Sequence, residues 1–442
     1  MFNFKRYYFY ISDFIFAIVT FIAIFKLRYS SVFFPSIGSR ELTKINLLMF
    51  CGYACTILIF NTAMKLYELN NLSRAKESIV NAYLSVIACA FTWTFIFYIS
   101  KYDFARFVFF SSLMLVPIIQ IISHKIIFKI MVHQNLQTKI YYLGSEKNWN
   151  LTNELLNKYS DILPSKMIKI NSVKEININP KKENHLIVID PCTPQKKEEL
   201  ALIYEYELNG YKLCNAAALF EYIDQSLPSE LIYENEMELF SSYRIQTSYN
   251  RILKRIGDIF ISLFLLIILS PLILLTMLLI KLTSKGPIFY HQKRIGLYNK
   301  EFVMHKFRTM KTDAEKGKAM LTVKGDSRIT AIGKIIRPIR IDELPQLINI
   351  LKGEMSFVGP RPERRELMEK ITEQHPLFYK RLLVKPGLTG WAQVKFQYAN
   401  SIEEMNKKLS YDLYYIKSIS LLFDLKILLY TIETVIFKRG AL

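Results

Sequence analysis

Residues 251–285 read RILKRIGDIFISLFLLIILSPLILLTMLLIKLTSK, and the fold turns on how this stretch is taken. Its apolar part, 259–280, holds 22 residues, and about 20 suffice to cross a bilayer. Both flanks are basic, with Arg251, Lys254 and Arg255 before it and Lys281 and Lys285 after it. A simple span would leave one basic flank on the far side, against the tendency of Lys and Arg to stay cytoplasmic. Ser270-Pro271 stands at the centre. Proline removes a backbone N–H and disfavours a straight helix, while a serine hydroxyl can rebind a freed backbone group. Two readings follow: an ordinary kinked span, or a helix broken midway that returns to the side it came from.

The same stretch divides the chain chemically. Of 442 residues, 58 are Lys or Arg and 38 are Asp or Glu, a net charge of +20. Residues 251–442 carry 33 basic against 17 acidic groups, or +16, and the first 250 carry 25 against 21, or +4. An apolar content of 51% excludes a disordered chain. Five cysteines are too sparse for a disulfide scaffold. A basic membrane protein remains, its charge facing nucleic acid, anionic lipid or a phosphorylated substrate.

Four apolar runs precede residue 134, at about 9–25, 45–64, 79–99 and 104–122. No small-residue cleavage site follows the first, so a signal peptide is a poor reading. The link 100–103 reads as a tight helical hairpin. Lys5, Arg6, Lys65, Arg74, Lys76, Lys125, Lys129 and Lys139 favour both ends of the block on the cytoplasmic side, whereas Lys26, Arg28, Arg40 and Lys44 in the first loop argue the other way. Asp13 lies inside the first run and reads as a snorkelling or helix-paired carboxylate near the interface, with a functional role as the alternative. Cys51, Cys55 and Cys89 read as membrane packing residues, and Cys192 and Cys214 have no partner at metal-ligand spacing.

From about 139 to 243 the composition is that of a soluble domain. Strands are expected at 140–143, 185–189 and 213–216, with a helix at 194–208 stopped by Gly210, which points to a small parallel α/β domain. A nucleotide site would want Gly-x-Gly-x-x-Gly after the first strand, and only Gly144-Ser145-Glu146 is present. The domain therefore reads as a degenerate Rossmann-like segment used for structure or regulation.

The chemistry-bearing strings follow residue 287: Gln292–Gly296, Lys306-Phe307-Arg308-Thr309-Met310, Asp326-Ser327-Arg328-Ile329-Thr330, Arg337, Ile341-Asp342-Glu343-Leu344-Pro345-Gln346, Met355–Pro362 and Lys385-Pro386-Gly387-Leu388-Thr389-Gly390-Trp391. Asp342 and Glu343 precede a helical run ending by Gly353, with Pro345 suited to its first turn. Adjacent helical positions point apart, so the two carboxylates are expected to do different jobs. Pro360 and Pro362 restrict Arg361, and Pro338 biases Arg337 toward extended backbone. Arginines beside carboxylates suit a phosphate-rich substrate, and a cation such as Mg²⁺ offsets the repulsion.

In order and spacing these strings resemble the bacterial sugar transferase family, the monotopic polyprenol-phosphate phosphoglycosyl transferases, over about 251–440. The preceding spans and α/β segment resemble the long form that starts exopolysaccharide, capsule or O-antigen units. The resemblance implies transfer of a sugar-1-phosphate, a hexose for the long form, from a UDP-sugar to undecaprenyl phosphate with release of UMP. It implies that Asp342 is the nucleophile, forming a covalent phosphosugar intermediate, and that Glu343 serves Mg²⁺ placement or acid/base help. Arg337 and Arg361 would contact phosphate, joined by Lys306, Arg308 and Arg328 from the matching strings. Asp342 and Glu343 would hold the metal. His291 replaces a commoner Arg, and Arg340 a commoner Ser or Thr. Ser270-Pro271 would break a re-entrant membrane helix.

The expected organisation is a four-span block at 1–134, the degenerate Rossmann-like α/β domain at 135–243, the re-entrant helix at 244–284 and a mainly helical α/β catalytic domain at 285–442. Residues 416–437 read as interfacial helices, and Trp391 as either an interface anchor or core. The expected location is the inner membrane of a bacterium, with the catalytic domain facing the cytoplasm. Membrane lipids are partners, nucleic acid is not, and a homo-oligomer is compatible with the sequence. Three rival readings fit the residues less well. A membrane-anchored nucleotide-sugar dehydratase or epimerase would need the glycine fingerprint and a Tyr-x-x-x-Lys pair, and no convincing pair is found. A non-catalytic basic scaffold explains the charge but not the ordered strings. A processive glycosyltransferase would want Asp-x-Asp, which does not occur.

Overall fold

The computed structural model describes residues 7–29, 44–64, 66–67, 72, 75–100, 106–134, 138–160, 164–180, 184–232, 248–311, 328–396 and 401–436. The 101–103 link, the loop charges at Lys5, Arg6, Arg40, Lys65 and Arg74, and the motif residues Asp326 and Ser327 lie outside them. Packing divides the chain into two compact units, Met1–Asp224 and Gln225–Leu442.

The first unit opens with four apolar helices: α1 (Tyr7–Arg28), α2 (Lys44–Ala63), α3 (Ala75–Ser100) and α4 (Arg106–Gln134). Among the described residues, α1, 78–96 of α3 and 108–130 of α4 are long and apolar enough to cross a membrane, and α2 contributes a shorter apolar segment, Leu48–Ala63. Aromatic rings fill the centre. Tyr53 meets Phe21 at 4.3 Å and Trp93 at 6.3 Å between ring centroids. Cys89 is buried in the same cluster, as its apolar setting implies. Asp13 is wholly buried and held by other helices: Asn61 Nδ2 and the Tyr67 hydroxyl donate to Oδ2 at 2.9 and 2.7 Å, and His124 Nε2 lies 2.7 Å from Oδ1. Of the two structural readings of this carboxylate, pairing between helices is the one realised. A buried intramembrane charge requires such partners.

The α/β domain follows, with β1 (Thr138–Leu143), α5 (Glu146–Lys158), β2 (Ser165–Ile170), β3 (His185–Ile189), α6 (Lys197–Leu208), β4 (Leu213–Asn215) and α7 (Ala216–Ile223). The strands form one parallel sheet in the order β2-β1-β3-β4. Where a dinucleotide-binding fold would receive phosphate, at the β1–α5 turn, this chain places its own anion. The Asp190 carboxylate accepts from Ser145 N at 3.1 Å, Ser145 Oγ at 2.8 Å, Asn148 Nδ2 at 3.1 Å, Cys192 N at 2.9 Å and Thr193 Oγ1 at 2.8 Å. A Cβ at Gly144 would stand 2.2 Å from Asp190 Cβ, so the single glycine makes room for this carboxylate. Helix N-termini favour negative charge, and here the demand is met internally.

The second unit begins with residues 225–232, which pack on its C-terminal helices: Trp391 Nε1 donates to Gln225 O at 2.9 Å, and Ser229 Oγ to Asn406 Oδ1 at 2.9 Å. Two apolar helices follow, α8 (Ser248–Ile268) and α9 (Ser270–Thr283), bent by 63° at the break between them. Pro271 cannot donate to the carbonyl of Ile267, and Ser270 Oγ binds that oxygen at 2.8 Å. Both arms attach to one body. Along the first half of α8, Arg255 binds the carbonyls of Ile350 and Leu351, and at mid-helix Asp258 Oδ1 accepts from Ser356 Oγ and Phe357 N, each at 3.0 Å. At the end of α9, Ile280 is buried with Phe307, Ile332 and Ile336. An unbroken helix would hold positions 258 and 280 about 33 Å apart. Around the bend the apolar side chains are bare, with Phe260 71% and Ile267 73% exposed.

The remaining elements are β5 (Phe289–Ile295), β6 (Glu301–Phe307), α10 (Ala331–Ile336), α11 (Gln346–Lys352), β7 (Ser356–Val358), α12 (Arg365–Gln374), β8 (Gly387–Thr389), α13 (Trp391–Lys395), α14 (Ile402–Ser418) and α15 (Leu421–Ile436). β5 and β6 form an antiparallel hairpin, and β7 pairs in parallel with β8. A Cβ at Gly387 would lie 2.1 Å from Gly359 N, which explains glycine at both positions: two backbones cross there. Trp391 is core, wholly buried against Phe423 and Tyr430. Among the described residues α15 is not long enough to span, and its exposed apolar residues are Leu421, Leu422 and Leu425.

Candidate active site

Asp342 and Glu343 sit in a 3-10 turn, Ile341–Glu343, just ahead of α11. Its entrance is Arg340 in the left-handed region at φ 56°, a conformation that costs a non-glycine residue about 1 kcal/mol or more. The N–H of Glu343 bonds back to Arg340 O, closing the turn at 3.2 Å. Ile341 and Leu344, on either side of the dyad, pack into the apolar cluster that also receives Ile280 of α9. The carboxylates are therefore held on the part of the body that seats the bent helix pair. Arg337 caps α10 with helical backbone (φ −64°, ψ −46°) and not the extended form expected before Pro338. Its N–H to Gly333 O at 3.1 Å and the Arg340 N–H to its own carbonyl at 3.0 Å outweigh that bias.

The two carboxylates differ in their partners. Glu343 Oε1 accepts from Lys306 Nζ and from Arg361 Nη2, both at 2.9 Å, and Oε2 lies 3.5 Å from Arg340 Nη1. Asp342 is buried, and among the described residues no hydrogen bond reaches its carboxylate. Burial first, and the charge of Glu343 second, push the Asp342 carboxyl up to about 6, with Lys306, Arg337 and Arg361 opposing them. Burial also acts to raise Glu343, but Lys306, Arg361 and Arg340 prevail and hold it well below the usual carboxylate range. Burial lowers Lys306, against the pull of Glu343. The two carboxyls are thus shifted in opposite directions, Glu343 down by its cations and Asp342 up by burial.

Lys306 comes from the end of β6, a strand pinned by Asn349, whose Oδ1 accepts from His305 N at 3.1 Å and whose Nδ2 donates to Val303 O at 2.7 Å. Arg361 comes from the loop after β7. Arg308 goes elsewhere. Its Nη1 donates to Lys285 O at 2.9 Å and its Nη2 to Ser284 O and Ser284 Oγ at 2.9 and 2.6 Å, tying off the end of α9. Arg328 accepts from Lys311 N through its carbonyl at 3.0 Å. His291 pairs across the hairpin with His305, Nδ1 to Nδ1 at 2.8 Å, away from the dyad's ion pairs. Arg340 has no partner assigned by the sequence, and the sequence does not single out Arg381, whose Nη2 donates to Arg361 O at 2.8 Å. No motif marked the latter, since its role depends on a carbonyl brought near by folding.

Among the described residues no group of three His, Cys, Asp or Glu side chains forms a ready metal cage. Mg²⁺ asks for less, commonly one or two carboxylates with substrate phosphates completing the shell. The open oxygens of Asp342 and the lightly engaged Oε2 of Glu343 fit that requirement.

A buried acid pair faces the cations of Lys306, Arg337, Arg340 and Arg361, on a body that also seats a bent pair of apolar helices. A family profile described as bacterial sugar transferase matches residues 249–438. "Uncharacterized sugar transferase EpsL" of Bacillus subtilis is 42% identical over 189 residues, which cover 43% of this chain and 90% of that protein. The chain belongs to the bacterial sugar transferase family. It is also 43% identical over 189 residues to the "UDP-N-acetylgalactosamine-undecaprenyl-phosphate N-acetylgalactosaminephosphotransferase" of Aeromonas hydrophila, covering 43% of this chain and 45% of that protein. A Klebsiella pneumoniae "UDP-glucose:undecaprenyl-phosphate glucose-1-phosphate transferase" is 39% identical over 194 residues, covering 43% of this chain and 42% of its own. This chain thus spans less than half the length of the latter two relatives.

Proposed function

We propose that the protein transfers a sugar-1-phosphate, of the hexose class, from a UDP-sugar to undecaprenyl phosphate and releases UMP. The observation that carries this reading is the open, buried Asp342 carboxylate beside a Glu343 already neutralised by Lys306 and Arg361. An Asp342 oxygen attacks the sugar-bearing phosphorus, a bond to that phosphorus forms, and the bond to UMP breaks. An oxygen of the prenyl phosphate then attacks the same phosphorus and expels Asp342, regenerating the carboxylate. The covalent intermediate splits one hard transfer into two easier ones. Lys306, Arg337 and Arg361 offset charge on the phosphates. Mg²⁺, held by Asp342 and Glu343 with phosphate oxygens, would add neutralising charge to the diphosphate.

Both arms of the bent pair attach to the body that carries the dyad, which supports a re-entrant helix with its two ends on one face of the membrane. Nucleotide sugars are cytoplasmic, so that face is the cytoplasmic one of a bacterial inner membrane. The substrate names of the relatives support a UDP-linked donor and a prenyl phosphate acceptor.

The test uses membranes containing the full chain, undecaprenyl phosphate, and radiolabelled UDP-glucose or UDP-N-acetylgalactosamine, with and without Mg²⁺. Lipid-linked sugar phosphate and UMP are expected together, and both are lost in Asp342→Ala. Wild-type turnover in that variant overturns the nucleophile assignment, and absence of product from both donors with wild-type protein overturns the reading for these sugars.

A further inference from the structure

Every residue from Ser356 to Glu363 has its backbone or side chain tied to another element. Asp258 holds Ser356 and Phe357. Val358 O accepts from Lys254 Nζ at 3.0 Å and from the Tyr415 hydroxyl at 3.1 Å. Gly359 N donates to Thr389 O, and Gly387 N to Pro360 O, both at 2.9 Å. The carbonyls of Arg361 and Pro362 are then taken by two more arginines: Arg381 Nη2 donates to Arg361 O at 2.8 Å, and Arg294 Nη1 to Pro362 O at 3.3 Å. Ile295 N closes the series on Glu363 O at 3.0 Å.

Arg381 is the member that costs most to keep. Its Nε donates to Asp412 Oδ2 at 2.8 Å, and the two side chains are 4% and 2% exposed. Its guanidinium also lies 4.4 Å from the centroid of the buried Phe378 ring. A buried ion pair is seldom a net gain in stability over apolar residues of the same shape. Retaining one here is accounted for by what its third contact does, because a fixed guanidinium is a rigid donor and Arg361 O is its acceptor.

We infer that Arg381, locked by Asp412, is a positioning residue for Arg361: it fixes the peptide from which the Arg361 side chain reaches Glu343 and the substrate phosphates. Arg381 does not itself touch the carboxylate pair. Lysine in its place could pair with Asp412 but lacks the fork that serves Asp412 and Arg361 O together. A misplacement of about 1 Å at such a site costs on the order of 10²-fold in rate.

This inference rests on the transferase reading, and the experiment separates the two. UMP release is first measured with wild-type protein, since its absence counts against the reaction and not against the brace. With activity in hand, rates are normalised to active enzyme, and kcat and KM for the UDP-sugar are compared in a cycle of Arg361→Lys, Arg381→Lys and the double variant. Expected is a fall in kcat/KM of about 10–100-fold for Arg381→Lys, with a raised KM. In the Arg361→Lys background the same change is expected to cost less than about threefold, because the group it positions is already altered. Equal cost in both backgrounds, or loss of active enzyme with unchanged KM, overturns the inference. If Arg381→Lys does not fold, Arg381→Met with Asp412→Leu removes both charges together and goes through the same cycle, with the same expected and overturning results.

Discussion

Arg361 Nη2 stands 2.9 Å from Glu343 Oε1, on the same oxygen that Lys306 holds. The contact keeps Glu343 ionised, and burial first and that charge second push the neighbouring Asp342 up to about 6. A nucleophilic carboxylate must be ionised, so kcat/KM is expected to fall as pH drops through about 6 and to be level above it. A pH–rate profile of UMP release measures this. An acid limb near the ordinary aspartate value would contradict a raised Asp342 carboxyl.

The sign for stability is the reverse. A carboxyl raised from 3.8 to about 6 is easier to ionise in the unfolded chain than in the folded one. Below about 4 both states are protonated and the group contributes nothing. As pH rises through the interval folding is penalised, on the order of 2–3 kcal/mol by neutrality. Asp342→Asn is therefore expected to abolish turnover while making the protein more stable at pH 7, the gain vanishing near pH 4. Thermal unfolding in detergent at both pH values reads it directly.

Glu343→Gln takes away the anion that Lys306 and Arg361 share. Two partly exposed cations then lack their partner, and stability is expected to fall by less than the roughly 3–5 kcal/mol that breaking a fully buried pair costs. The same change removes the charge that raises Asp342 and frees the cations that lower it, so the acid limb of any remaining activity is expected to move to lower pH. A limb that moves upward would contradict this account of the pair.

The legible part of this site was the part written in adjacent residues. Asp342-Glu343 and Pro360-Arg361-Pro362 could be read because chain neighbours constrain one another, and Ser270-Pro271 because a lost donor acts on its own turn. The two crossing glycines at 359 and 387 could be seen but not explained until the backbones met. Partners distant in sequence were hidden: Asp13 with His124, Asp190 with the 144–148 turn, Arg381 with Asp412. Strand β2 went unread, since its half-buried Ser-Lys-Met-Ile-Lys-Ile pattern carries little apolar signal at a sheet edge. Arg337 followed its helix and not its proline because two hydrogen bonds outweighed a one-residue preference.

Arg308 illustrates the limit of motif reading, for it lies two residues from Lys306 and serves another purpose. Its guanidinium binds the carbonyls of Ser284 and Lys285 and the Ser284 hydroxyl, where α9 rejoins the body. Arg308→Ala is expected to cost roughly 1–3 kcal/mol of stability, through the lost packing of a buried side chain and its three hydrogen bonds to half-buried or exposed acceptors. KM for the UDP-sugar should stay near the wild-type value in the surviving enzyme, while Lys306→Ala should change kcat/KM sharply. A large rise in KM for Arg308→Ala would instead place this guanidinium on the substrate.

On the proposed re-entrant reading, the 63° bend at Ser270-Pro271 sets which side of the membrane the arms reach. With α8 and α9 attached to one body at Asp258 and Ile280, both ends should face the same solution. Single cysteines at Asn250 and Gly286, in a chain whose five native cysteines are replaced, are expected to react with an impermeant maleimide from the cytoplasmic side alone. Replacing Pro271 by Leu restores an N–H that can bond Ile267 O, and replacing Ser270 by Ala removes the hydroxyl that now takes it. That pair of changes favours a straighter helix, long enough to cross: α8 and α9 together offer about 50 Å of helix against a hydrocarbon core of about 30 Å. Straightening should draw one arm off the body, and the expected result is loss of sugar transfer together with weaker membrane-side protection of the bend. Labelling of Asn250 and Gly286 from opposite faces in the unaltered protein would establish a true span and end the re-entrant reading.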